Sequence, residues 1–304
     1  MIIVVLFCVV VLSIVYFPDG QNVTEAQDVP EVQDAPEQVT PDNPPADYPP
    51  SEPERREYPP VPPDKPASDV PVPGGRPWLV FVIDDAGYNM AQLKPFLDSP
   101  APLTIAVLPH LPYSKPASEA AYAAGKEVIL HMPMQAIMTN ADPGPGAIYS
   151  GQDKDAVTMH TRRAFESVPH ATGANNHMGS RITQEAEIIE YFLAAMQGIS
   201  KEMFFLDSRT TANSVAALIA AEKGVPVVER DIFLDNDDNR AAIIQAIEEG
   251  KSLSKRRGYA VMIGHIWSEE LGGLITEYYP ELLEQGFYIG TLSELIYHLA
   301  DENR

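Results

Sequence analysis

From Pro77 onward the chain is a succession of apolar runs, four to eight residues long, each followed by a stretch with helical spacing. That alternation restricts the fold to the α/β class, because short buried strands separated by amphipathic helices assemble into a mostly parallel sheet. Strands are expected at 78–83, 103–108, 127–130, 203–206, 225–229, 259–263 and 286–289. Helices are expected at 114–124, 153–168, 183–196, 211–223, 238–251, 269–285 and 291–300, with Thr183 as an N-cap and Gly125 and Gly224 as stops. About seven strand-helix units in 77–304 indicate a single (β/α) barrel, regular or distorted. An open doubly wound sheet is the alternative.

The runs end in a distinctive set of side chains. Asp84 and Asp85 follow the first run, His131 the one at 127–130 and His265 the one at 259–264; His177 follows a looser stretch, Ala174-Asn-Asn176. In parallel α/β folds the C-terminal strand ends gather at one rim, where the chemistry sits. Two carboxylates and three imidazoles there suit a divalent metal and a hydrolytic reaction. The two aspartates divide into one metal ligand and one base. His131 reads as a ligand, His177 as a ligand or a substrate contact, and His265 as an acid that protonates a leaving group. Arg181, Asp207, Arg209, Asp231 and Asp235 are expected to support these groups or touch substrate. His110 closes a strand beside Pro109 and Pro112 and reads equally as a loop residue, while His160, His170 and His298 read as surface residues.

Several function classes are excluded. The net charge of -22 and the lack of a clustered basic face argue against nucleic acid. Neither a G-x-G-x-x-G after a strand, nor a phosphate-binding G-x-x-x-x-G-K-[ST], nor a G-x-S-x-G elbow is present. The single cysteine, Cys8, lies in the N-terminal apolar run, which excludes a cysteine nucleophile in the folded part.

Residues 1–18 are almost wholly apolar and end at Pro18, and they are expected to form a membrane anchor or an uncleaved signal. Residues 19–76 form a separate class of sequence: 21–76 holds fifteen prolines in fifty-six residues together with many acidic ones. Such a composition cannot bury enough apolar surface to offset chain entropy, so a disordered, stiff, acidic linker is expected. The folded domain then spans 77–304.

Six segments in order, Val82-Ile-Asp-Asp-Ala-Gly87, Leu130-His-Met-Pro-Met134, Asn175-Asn-His-Met-Gly-Ser-Arg-Ile-Thr183, Phe205-Leu-Asp-Ser-Arg-Thr-Thr211, Arg230-Asp-Ile-Phe-Leu-Asp-Asn236 and Ile263-Gly-His265, resemble the motifs of the divergent polysaccharide deacetylases (YibQ-like), relatives of the NodB-type carbohydrate esterases. The resemblance covers nearly all of 77–304 and implies a distorted (β/α)7 barrel holding a divalent metal, usually zinc. It further implies Asp85 as the metal carboxylate, Asp84 as the base, His131 as the first metal histidine and His265 as the catalytic acid. NodB-type enzymes take two histidines from one H-x-x-x-H segment, whereas Gln135 stands at the second position here, which leaves His177 as the third ligand. The implied activity is removal of acetyl groups from a polysaccharide or glycan outside the cytoplasm, in a bacterial cell envelope. The alternative is a weak or inactive relative that binds glycan or a protein partner through the same groove. A phosphoesterase is disfavoured by the scarcity of basic residues near the rim.

Overall fold

The computed structural model describes residues 75–302. The expected anchor and linker lie outside the described residues, and among the described residues no helix is long and apolar enough to cross a membrane. Among the described residues there are nine strands, β1 (Trp78–Ala86), β2 (Thr104–Val107), β3 (Glu127–Met134), β4 (Gly173–Met178), β5 (Phe204–Asp207), β6 (Val227–Glu229), β7 (Ile232–Phe233), β8 (Tyr259–His265) and β9 (Tyr288–Gly290), and, between all of them but β6 and β7 and after the last, eight α-helices. These are α1 (Met90–Asp98), α2 (Ser114–Ala123), α3 (Lys154–Ser167), α4 (Ala186–Ile199), α5 (Ala216–Glu222), α6 (Arg240–Arg257), α7 (Leu271–Glu284) and α8 (Leu292–Glu302).

All paired strands are parallel and run in the order β6-β5-β4-β3-β2-β1-β8-β7. The two ends of this series are neighbours in the chain, separated only by Arg230 and Asp231. The Arg230 N–H donates to the Asp207 carbonyl at 2.9 Å and the Asp231 N–H to the Val261 carbonyl at 2.9 Å. One extended segment therefore leaves β5 and joins β8, curling the sheet into the distorted barrel expected from the sequence. On β1, one edge pairs with β8; the other is shared, with β9 beside Trp78–Val80 and β2 beside the later residues.

Period-two alternation sorts the strand side chains into two cores. Leu79, Phe81 and Ile83, with Ile105, Val107, Val128 and Leu130, face outward onto the helices. Val80, Val82, Ala106, Ile129, Leu206, Val261 and Ile263 face inward, and Leu292 and Leu295 of α8 belong to the same inner core. The partly buried Glu127 carboxylate fixes the start of α8 by accepting from the backbone N–H groups of Leu292 at 2.9 Å and Ser293 at 3.2 Å. The inner face stays apolar until its last positions: Val80 and Val82 lead to Asp84, Ile129 to His131, Leu206 to Ser208 and Ile263 to His265. On β4 that face reads Gly173, Asn175, His177. A Cβ on Gly173 would lie 2.7 Å from the Phe204 ring, so this position accepts only glycine.

Several boundaries differ from expectation. β3 continues through Pro133 to Met134, because β2 ends opposite Leu130 and leaves β3 an edge there, where proline is tolerated. Thr183 does not cap α4: it lies in a 3-10 turn, its hydroxyl donates to the Gly179 carbonyl, and α4 starts after Glu185. α6 runs on to the left-handed Gly258, which places Lys255, Arg256 and Arg257 in its last turn against the helix dipole. α5 covers only 216–222, because 208–215 is loop. α1, β4 and β7 are additional elements.

Candidate metal centre

Asp84, Asp85, His131, His177 and His265 all converge, buried, at the C-terminal rim. Strand register explains most of this: Asp84 lies opposite His265 across β1 and β8, and His131 opposite Asn175 across β3 and β4, with His177 two residues further along the same face. Asp85 should point away from Asp84 on a regular strand. Instead β1 spends three steps, Ile83 to Ala86, where β2 spends two, and Asp85 takes up a left-handed conformation at φ 67°. This bulge turns the second carboxylate toward the same mouth. Met178 and Arg209, at the ends of β4 and β5, are also left-handed, so backbone strain is concentrated at this rim.

Three donor atoms form a tight triangle. Asp85 Oδ1 lies 3.0 Å from His177 Nδ1 and 3.3 Å from His131 Nε2, and those two nitrogens are 3.0 Å apart. Ligands held about 2.0–2.1 Å from a cation are roughly 3.3 Å apart in a tetrahedral site and roughly 2.9 Å apart in an octahedral one. Among the described residues, Asp85, His131 and His177 form the group that could hold a metal ion, and no hydrogen bond of ordinary geometry reaches the buried Asp85 Oδ1. The residues present therefore fit a divalent cation. Burial disfavours ionisation of Asp85, but His177 and His131 outweigh it and hold the carboxyl well below its usual range. Asp84 is pushed the other way, by burial and by its neighbour Asp85, with only partial relief from His131 and His265. Burial also works against the charged form of His131, but Asp84 and Asp85 raise it overall.

His265 is held from three sides. Asp235 accepts from its backbone N–H at 2.7 Å and lies 3.0 Å from its Nδ1. Its ring stacks between Phe233, at 5.9 Å, and Trp267, at 4.9 Å. Burial opposes a charged imidazole here, yet Asp235 and the two rim aspartates raise its pKa to about 9. His265 is thus an imidazolium near neutral pH, with Nδ1 committed to Asp235.

The remaining expected residues occupy varied places. Asp235 touches His265 directly. Asp207 accepts from the Arg209 N–H and the Ser214 hydroxyl and shapes the loop after β5. Arg209 pairs with Glu229 at 2.6 Å and the exposed Arg181 with Glu185 at 2.6 Å. Asp231 pairs with Arg257 and accepts from the Val261 N–H, where the chain crosses from β5 to β8. Gln135 holds the following loop by accepting from the Ser150 N–H at 2.9 Å.

Two residues of the site were not singled out by sequence reasoning. Trp267 donates its indole N–H to Asp85 Oδ2 at 3.3 Å. Asn175 contacts His131, Asp84 and Ser208; its only signal was a polar pair next to His177.

Residues 81–296 match a family model described as divergent polysaccharide deacetylase. The chain belongs to that family. An uncharacterized protein of Haemophilus influenzae (strain Rd) is 34% identical over 187 residues, covering 62% of this chain and 66% of the relative. Escherichia coli YibQ, also uncharacterized, is 33% identical over 187 residues, covering 62% and 58%. The chain thus spans less than two thirds of either relative's length. An uncharacterized protein from Agrobacterium tumefaciens C58 has a crystal structure similar to this one, with a TM-score of 0.68 at 21% identity over 73% of this chain and 90% of the other. That likeness supports the α/β architecture expected for this member of the divergent polysaccharide deacetylase family.

Proposed function

We propose that this divergent polysaccharide deacetylase is a metal-dependent hydrolase that removes acetyl groups from a glycan outside the cytoplasm. The observation that carries the proposal is the buried Asp85–His131–His177 triangle with a carboxylate, Asp84, on one side and an imidazolium, His265, on the other. Two imidazoles and one carboxylate favour zinc, which when bound supplies Lewis acidity to a carbonyl oxygen and to water.

The chain's own residues supply the proton movements. Asp84, whose proton affinity is raised by burial, accepts a proton from the water whose oxygen bonds to the acetyl carbon. Asp235 keeps the His265 Nδ1–H occupied, so Nε2–H is the proton given to the departing amine or alcohol as its bond to the acetyl carbon breaks. Acetate and the deacetylated sugar leave. Residues 1–18 would tether the domain to the inner membrane of a bacterial envelope, with the acidic linker 19–76 holding it clear of the surface.

A second reading, a domain that binds glycan or a protein partner without turnover, is favoured by one observation: Gln135, where the related NodB-type enzymes carry a second metal histidine, is committed to a loop. Metal analysis of the purified chain, coupled to acetate release from a panel of N- and O-acetylated glycans, separates the two. One equivalent of metal with acetate release supports the hydrolase; bound metal without release from any glycan supports the binder.

A further inference from the structure

Asn175 is fully buried and directly opposite His131 on the neighbouring strand. Its Oδ1 lies 2.7 Å from His131 Nδ1, and its Nδ2 donates to Asp84 Oδ1 at 2.9 Å and to Ser208 Oγ at 3.2 Å. An amide has one accepting end and one donating end, while an ionised carboxylate only accepts. The Asp84 carboxylate therefore dictates which way the amide faces: the opposite orientation would set a carbonyl oxygen against a carboxylate oxygen. With Nδ2 toward Asp84, Oδ1 faces the imidazole, so His131 Nδ1 must carry its hydrogen. His131 Nε2 is then left with a lone pair, and it is Nε2 that points at Asp85 Oδ1 and His177 Nδ1.

We propose that Asn175 is a positioning residue through which Asp84 sets the tautomer of His131 and thereby its competence as a metal ligand. Base and ligand are coupled by a single side chain. The inference deepens the hydrolase reading and rests on it for its catalytic consequence, but its consequence for metal binding stands independently. The carbonyl or carboxylate that orients a ligating histidine in other metal sites is replaced here by an amide that also reaches the base.

The test compares the wild-type chain with Asn175→Leu, which removes both ends of the amide at similar volume, and with the exchange Asn175→Asp plus Asp84→Asn, which keeps an acceptor for His131 and gives it a donor at position 84. Zinc titration should show Asn175→Leu binding about 10- to 100-fold more weakly, and the exchange variant recovering to within a few-fold of the wild type. Nitrogen-15 spectra of the zinc-loaded wild type should show His131 protonated at Nδ1. With saturating zinc, Asn175→Leu should lower kcat with KM unchanged. Wild-type zinc affinity in Asn175→Leu overturns the proposal, as does failure of the exchange to rescue a folded chain or a wild-type His131 without hydrogen at Nδ1. The spectra decide even when a variant does not fold. A chain that binds zinc as expected but releases no acetate overturns the hydrolase reading and leaves the Asn175 role supported.

Discussion

Replacing Asp235 with asparagine tests the electrostatics of the acid group most directly. Asp235 is the principal counter-charge that raises the buried His265 from 6.5 to about 9, a difference equivalent to about 3 kcal/mol between the two protonation states. Because the folded-state pKa is the higher one, this stabilisation is fully present below pH 6.5 and is lost as pH rises through 9. Asp235→Asn removes the principal counter-charge but keeps an oxygen for the His265 N–H, so only the two rim aspartates still oppose burial and the imidazole should titrate well below 9. At pH 8 the charged population would fall from about nine-tenths, by roughly 30-fold were the imidazole to return fully to 6.5 and by less in so far as Asp84 and Asp85 still hold it up. The assay is an NMR titration of the His265 ring carbon-bound proton in chelator-treated wild type and variant. Urea unfolding from pH 6 to 10 should show the wild type losing more than the variant across that range, by up to about 3 kcal/mol. A wild-type His265 titrating near 6.5, or a variant titrating near 9, would refute the reasoning.

Other outcomes follow from the same geometry. His177→Ala removes one corner of the ligand triangle and should cost at least about 100-fold in zinc affinity, read by calorimetry; a full equivalent of tightly held zinc in this variant would remove His177 from the ligand set. Asp84→Asn should retain zinc, since its amide oxygen can still accept from Asn175, while acetate release drops about 10²- to 10⁴-fold; wild-type turnover would exclude Asp84 as the base. Gly264→Ala would drive a Cβ into Leu271 and to 3.5 Å from Asp235 Oδ2, so urea unfolding should show a loss of about 1–3 kcal/mol, against no change if that contact is slack. Zinc should raise the melting temperature of the wild type with the logarithm of its concentration above Kd, and a chelator should reverse it; a melting temperature indifferent to zinc would count against a folded-state metal site.

Most of the rim was legible because the strongest runs, 78–83 and 259–263, are buried on both faces and end in side chains that cannot be buried without partners. β4 was not recognisable as a strand in the same way. Its residues, Gly173–Met178, have low strand propensity, and they form a strand because β3 and β5 flank them and because Asn175 and Asn176 find acceptors at the rim. Adjacent carboxylates at 84 and 85 gave no hint of the bulge that brings them together, since a bulge is set by pairing with β2 rather than by local composition. Trp267 was missed because its role depends on a contact with Asp85 across 182 residues of chain. The crossing at Arg230 and Asp231 is likewise a property of which strands remain unpaired when the sheet curls.

The divided edge of β1 bears on how the domain is made. Its partners β8 and β9 lie about 180 and 210 residues downstream, so the strand carrying both aspartates finishes pairing only after nearly the whole domain has been synthesised. Contacts this distant in sequence fold slowly, and until they form, the apolar run 78–83 presents an open edge. A chain interrupted before residue 259 would retain β2 to β5 and their helices but leave Asp84 and Asp85 unanchored. Metal-binding competence would thus arrive late in folding, and zinc uptake during refolding would report the closing of the barrel rather than its collapse.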